Sequence, residues 1–261
     1  MTRTARLLVR FLANSVQLDL EYRSGFMIGM INTLLSLGAG AAVLLALLQY
    51  GGEIGGWDAH SVIVLLGVFT CADATVGLVF RPSLRKVAEY IELGNMDYML
   101  LKPVNLQFNM SFRAWSFWQL PNFVIGLALM VGGMSRAETL TPEHVAMALL
   151  GLTAGITILY ALWATVTVMA FWFVRINNAQ MILYALMGVA RYPATVYPAG
   201  LRLFFTFVLP VTFITNVPAA AAVAKVGWTT IGLSWLIAAI TLLLSMTIWR
   251  NAIRHYTSAS S

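Results

Sequence analysis

Stretches of twenty or more residues almost free of charge recur along this chain, at 26–50, 61–80, 112–134, 145–174 and 228–249. A helix rises about 1.5 Å per residue, so each can cross a hydrocarbon layer roughly 30 Å thick. Only 10% of the residues are charged, where a soluble domain carries about 25%. That is too little charge to cover a water-facing surface, and an aqueous globular fold is excluded. Mean hydropathy is +0.81. A chain built this way must satisfy its backbone within each apolar run, which helices do. The reading is an all-α polytopic membrane protein.

Other classes fall on the same grounds. Cys71 is the single cysteine, so neither an internal disulfide nor a cysteine-based zinc site can form. A net charge of +6 would point to nucleic acid in a soluble protein. In a membrane protein it reflects lysine and arginine held on the cytoplasmic side, and no nucleic-acid partner is expected. The 261 residues hold a helical bundle and short loops, with no room for a soluble catalytic domain.

The start of the chain, residues 1–24, reads as an amphipathic helix and lead-in lying on the membrane surface. Arg3, Arg6 and Arg10 recur at helical spacing beside Leu7, Leu8, Phe11 and Leu12. The alternative is a signal peptide; Asp19, Glu21 and Arg23 interrupt it, and the apolar run that follows is too long for a signal core. Residues 25–261 form a single transmembrane domain. Its first span is 26–50, its second 61–80, and its third lies within 112–134, where Pro121 is expected to kink the helix. The fourth spans 145–174. The stretch 178–197 is apolar but holds Arg191 and Pro193, while 203–224 is apolar but carries Pro210 and Pro218. Either 203–224 crosses fully, or 178–197 crosses and the proline-broken piece dips in and returns. Both readings give six crossings and both ends on one side.

Arg3, Arg6, Arg10, Arg23, Arg81, Arg85, Lys86, Lys102, Arg175, Arg250 and Arg254 fall on one side of these spans. The loops 51–60 and 135–144 hold Arg136 against Glu53, Asp58, Glu138 and Glu143. The first side is cytoplasmic, with both termini.

Catalytic signatures are missing. None of the three lysines follows a glycine, as a phosphate-binding loop needs, and His60, His144 and His255 lack metal-ligand spacing. No catalytic, metal or cofactor-binding residue is assigned. Asp73 is the one carboxylate well inside a span, which makes it either a functional site or an acid satisfied by Thr70, Thr75 or another helix. The threonines Thr153, Thr157, Thr165 and Thr167 are read as packing residues. The stretch 81–103 is the most informative. Pro82 can start a helix and Gly94 end it; Leu84, Val87, Ala88 and Ile91 make an apolar stripe, with Arg85, Lys86, Glu89 and Glu92 facing away.

Behind it comes Gly94-x-x-Asp97-x-x-Leu100-Leu101-Lys102-Pro103, and later Ala190-Arg-Tyr-Pro193, Leu209-Pro210 and Val217-Pro218. On these runs the chain resembles the permease subunits of type-2 ATP-binding-cassette transporters, in the small bacterial family without a fused ATPase. The resemblance implies six transmembrane helices per copy, a permease dimer of identical or paralogous chains, and two cytosolic ATPase subunits that bind ATP and magnesium. It makes the 81–103 loop a coupling helix docking on the ATPase, with Arg85, Lys86, Glu89, Tyr90, Glu92, Gly94, Asp97, Leu100, Lys102 and Pro103 as coupling residues. It makes 198–226 a re-entrant hairpin around Pro210 and Pro218 near the outer face, with Arg191, Arg202 and Lys225 outward. The location implied is the bacterial inner membrane.

The expected function is the membrane subunit of an ATP-driven exporter, itself no enzyme. A secondary transporter driven by an ion gradient through Asp73 is the rival, and a scaffold without transport is a third class. The 14 Phe, 13 Met and 8 Trp fit a path for lipids, glycans or other amphiphiles equally well, and leave the cargo open.

Overall fold

The computed structural model describes residues 53–101, 104–172 and 177–254, together with 10–17 and scattered positions between 7 and 49. The expected span 26–50, most of the surface helix, Lys102, Pro103 and the tail beyond 254 lie outside the described residues. The described chain is helical. In chain order the elements are α1 (Ala59–Val79), α2 (Arg81–Glu92), α3 (Met96–Leu100), α4 (Leu106–Phe112), α5 (Leu120–Arg136), α6 (Pro142–Val168) and α7 (Asn177–Ala190). Short pieces follow, α8 (Ala199–Leu203), α9 (Val211–Ile214) and α10 (Asn216–Ala222), before α11 (Trp228–Arg254). Four helices among the described residues are long and apolar enough to cross a membrane: α1, α5 with its preceding turn, α6 and α11.

α1 is apolar on every face, and a helix of that kind is buried on every face. It lies between α5 on one side and α6 and α10 on the other. α5 approaches it where Gly67 meets Gly126. A Cβ on Gly67 would stand 2.5 Å from the Met130 amide nitrogen, and one on Gly126 would stand 2.7 Å from the Cys71 amide nitrogen. α11 packs on α6 through Ser234, Ala238, Ser245 and Trp249, whose indole donates to the Ala164 carbonyl at 3.0 Å. Its other face exposes Leu236, Leu243 and Leu244, as a helix bordering lipid does.

Pro121 does not kink the third span. The chain breaks earlier, between α4 and α5, and Pro121 sits in the first turn of α5. There the missing N–H costs nothing, because the first four amides of a helix have no partner within it.

α7, at 14 residues, is only about 21 Å long. After it the chain runs through broken pieces. Non-helical backbone away from water needs its polar groups paired, and two buried side chains supply partners. Thr215 donates to the Ala190 carbonyl at 2.6 Å. Asn216 accepts from the Ala194 amide at 2.7 Å and donates to the Tyr192 carbonyl at 3.3 Å. The helix stops at Leu209–Pro210 and again at Thr215; Pro218 falls in the first turn of α10.

Both ends of this segment meet one loop. Thr195 lies against Gly55, and Lys225 donates to the Gly56 carbonyl at 2.6 Å with its ammonium 4.8 Å from the Trp57 ring. Between them, the Ile214 backbone rests on Gly155 of α6, roughly 20 Å along the helix from Pro142. At the same end Asp58 caps α1, accepting from the His60 amide at 3.3 Å and from Ser61. Partial burial works against the charged form of Asp58. The hydrogen bonds from Ser61 and the backbone amides, with Lys225 nearby, outweigh it and hold the carboxyl below its ordinary range.

Candidate functional site

The end of the bundle opposite this loop is built by α2, α3 and α4. Pro82 stands in the first turn of α2, just after the break at Phe80. Leu84 and Val87 are fully buried, against α4 and α6. Ser83 anchors that first turn, accepting from the Ala114 amide at 2.7 Å and donating to its carbonyl at 2.9 Å. Leu84 and Val87 of the α2 stripe are thus taken up by its own bundle, Ile91 is half-buried, and the Ala88 side chain lies outside the described residues. What faces outward is the charged row Arg85, Lys86 and Glu89, all exposed.

Gly94 follows α2 at φ +68°, the left-handed region that favours glycine. It turns the chain into α3, whose Met96 and Met99 are buried and whose Asp97 lies in the first turn. Leu93, Tyr98 and Leu101 are 63%, 69% and 81% exposed, and Leu100 39%. Four apolar side chains stand in the open beside the charged row. Leu93 and Tyr98 are the residues sequence reasoning did not single out, and Leu101 entered it only through the run that carries the resemblance; large apolar residues inside an otherwise polar loop were the available signal. Tyr90 is half-buried beneath the Arg113 guanidinium, 5.5 Å from its ring. The side chain of Glu92, together with Lys102 and Pro103, lies outside the described residues.

Asp73 has a partner two turns along. Arg81 Nη2 lies 2.5 Å from Asp73 Oδ1, and the pair is partly buried, the arginine side chain 13% and the aspartate 34% exposed. The guanidinium carbon stands 5.2 Å from the rings of both Trp163 on α6 and Tyr184 on α7. Four elements therefore converge on one ion pair at the polar end of α1. The charge distribution groups Arg81 with the cytoplasmic-side cations, and only the bend at Phe80 carries it back over α1. Thr70 and Thr75 bond carbonyls one turn back, at Leu66 and Cys71, and neither serves the acid.

Beside α4, Ser111 and Gln107 hydrogen-bond the Tyr160 hydroxyl at 2.8 and 3.3 Å. Phe80 packs 4.5 Å from the Tyr160 ring and 5.3 Å from Phe112. The start of α2 thereby packs against α4 and α6 through the Phe80 ring.

Pro218, one of the two expected hairpin residues, packs on Gly151 of α6. No match to a curated protein or to a solved structure was found. A family model described as ABC-2 family transporter protein matches residues 34–260. With the loop geometry at both ends and nearly the whole chain under that match, this all-helical membrane protein belongs to the ABC-2 transporter family, as a transmembrane permease.

Proposed function

We propose that the chain is the transmembrane subunit of an ATP-driven exporter, supplying the translocation path while a separate cytosolic ATPase hydrolyses ATP. The observation that carries this reading is the rigid seating of α2. Leu84 and Val87 of its stripe are bound internally and Ser83 is fastened to Ala114, so its charged row and the exposed Leu93, Tyr98 and Leu101 are left for a partner. A push on that surface reaches α1 through Phe80 and α6 through Tyr160. ATP and magnesium belong to the partner. A second permease copy, identical or paralogous, completes the path. The test is purification of the intact permease from its host membrane: an ATPase subunit retained in stoichiometric amount, with measurable hydrolysis, supports the reading. A permease that transports with no ATPase bound overturns it.

In this reading six spans cross the bacterial inner membrane: 26–50, α1, α5, α6, the 178–197 stretch that holds most of α7, and α11. Residues 198–226 form a re-entrant hairpin, a reading supported by Thr195, just before it, and Lys225, near its end, both meeting the 55–57 loop. Both termini and α2 face the cytoplasm, with 53–58 outside. On a Cys71→Ser background, single cysteines at Glu53 and Asn95 are expected to label from outside and inside respectively. Glu53 is chosen because it is exposed and avoids the left-handed backbone of Gly55 and Gly56. Labelling of Asn95→Cys in intact cells, with Glu53→Cys silent, inverts the topology.

The Arg81 contact supports a structural role for Asp73 rather than ion coupling. Asp73→Asn is expected to keep transport and its pH profile while lowering stability by about 1–2 kcal/mol, less than the full cost of breaking a wholly buried pair. Pairing Asp73→Arg with Arg81→Asp should recover part of that loss. Abolished transport in Asp73→Asn at normal protein abundance, with a lost pH dependence, favours an ion-driven carrier instead.

A further inference from the structure

A cavity of about 410 Å³ opens where α2 leaves the polar end of α1, and its walls include Ser15, Arg81, Arg85, Lys86, Trp115 and Ser116. We propose that it binds the phosphate-bearing headgroup of an anionic phospholipid. The volume lies in the range of small-molecule sites, roughly 300–1,000 Å³.

Arg81, Arg85 and Lys86 line the cavity, and among the described residues no carboxylate does. Arg81 is held by Asp73. Among the described residues no carboxylate oxygen lies within ion-pairing distance of Arg85 or Lys86, so their charge is uncompensated there. An anion entering the cavity meets both, and also the Ser15 and Ser116 hydroxyls. A planar guanidinium, a point-charge ammonium and hydroxyl donors are the groups that recognise phosphate oxygens.

The depth fits a lipid better than a soluble anion. Gly77, near the end of α1, and Gln119, beside the start of α5, border the same cavity. Both mark the boundary where membrane-crossing helices meet the headgroup layer. The half-buried Trp115 and the Tyr184 ring border it too, and amphipathic rings of this kind gather at that boundary. The surface helix is tied over it: the Trp115 amide donates to the buried Ser15 hydroxyl at 3.0 Å. A headgroup is thus flanked by the helix that lies on the membrane, by the base of α2 and by the entry to α5. Basic pockets between transmembrane helices at the headgroup level hold anionic lipids in this way. Binding itself does not depend on the proposed exporter function; only the choice of leaflet rests on the proposed orientation.

The test is native mass spectrometry of the purified full-length permease titrated with phosphatidylglycerol or phosphatidylcholine, with and without inorganic phosphate. Wild type is expected to retain one phosphatidylglycerol at least tenfold more tightly than phosphatidylcholine. Arg85→Gln with Lys86→Gln should erase most of that preference, and both residues are exposed, so the fold survives. Ser116→Trp keeps every charge but fills the cavity, and it should lose the lipid as well. Equal retention of the two lipids by wild type overturns the proposal. So does retention of phosphatidylglycerol by Ser116→Trp, which would reduce the effect to general surface attraction. Displacement of the lipid by millimolar inorganic phosphate would assign the site to a soluble phosphate and overturn the lipid assignment.

Discussion

Gly126→Leu is expected to remove the folded protein from the membrane, while Gly132→Leu, on the same helix, leaves it intact. The difference lies in what each new side chain would meet. A Cβ at position 126 falls 2.7 Å from the Cys71 amide nitrogen, 2.8 Å from its sulfur and 2.9 Å from the Gly67 carbonyl oxygen. Two of these are backbone atoms, which cannot rotate aside, so α1 and α5 must separate. At Gly132 nothing lies within 4 Å of the new Cβ. Association of helices in lipid has no hydrophobic drive to compensate for lost packing, because lipid tails are as apolar as leucine. Overpacking a well-filled interface costs about 1–3 kcal/mol or more, and a leucine on backbone belongs at the upper end. Membrane abundance and thermal unfolding of the detergent-solubilised variants measure it. Equal melting of the two would mean the α1–α5 contact does not hold the bundle together.

The second large effect is expected at the outward face of α2 and α3. Tyr98→Ala should weaken ATPase association by roughly thirtyfold if the tyrosine is a desolvated anchor, since aromatic anchors contribute about 2 kcal/mol or more. Glu89→Lys turns the row Arg85, Lys86, Glu89 wholly positive, and should slow association several-fold with a steep salt dependence, as reversal of a rim charge does. Neither residue supports the bundle: Tyr98 is 69% exposed and Glu89 faces outward. Both variants should therefore insert and melt like wild type. Two glycines inserted after Gly94 should behave differently, leaving the ATPase bound but hydrolysis uncoupled from transport. The contact survives, while the stiff turn between α2 and α3 does not. Complex formation on size exclusion, hydrolysis and transport in reconstituted vesicles separate the three. Wild-type values for all of them would remove this surface from the mechanism.

The candidate site was legible in unequal parts. The stripe of Leu84, Val87 and Ile91 against Arg85, Lys86 and Glu89 is a periodicity, and a helix of period 3.6 must display it. What covers the stripe is not a property of the helix alone. An apolar face is satisfied equally by its own bundle or by a partner's groove, and here α4 and α6 take up Leu84 and Val87. The exposed apolar side chains at this end are instead Leu93, Tyr98 and Leu101, which have no periodic relation to the stripe.

Pro121 is a similar case. Proline in an apolar run signals a kink when the helix already extends on both sides. Residues 113–119 do not continue α4 into α5, since Ser116 instead donates its amide to the Leu78 carbonyl at 2.9 Å. The proline therefore opens a helix rather than bending one.

By itself the sequence determined the solvent, the helical backbone and the rough extent of the long apolar elements, because these follow from local sums of hydropathy and length. α1 and α11 lie close to the runs 61–80 and 228–249. The tertiary structure alone decided which glycines must be glycines, that Arg81 reaches Asp73, and that Thr215 and Asn216 pair the backbone groups at Ala190, Tyr192 and Ala194 that no helix satisfies. Each depends on atoms from elements far apart in the chain meeting within about 3 Å, the distance over which hydrogen bonds and steric contact act. Composition and periodicity describe a helix's faces; only packing selects the atoms each face will touch.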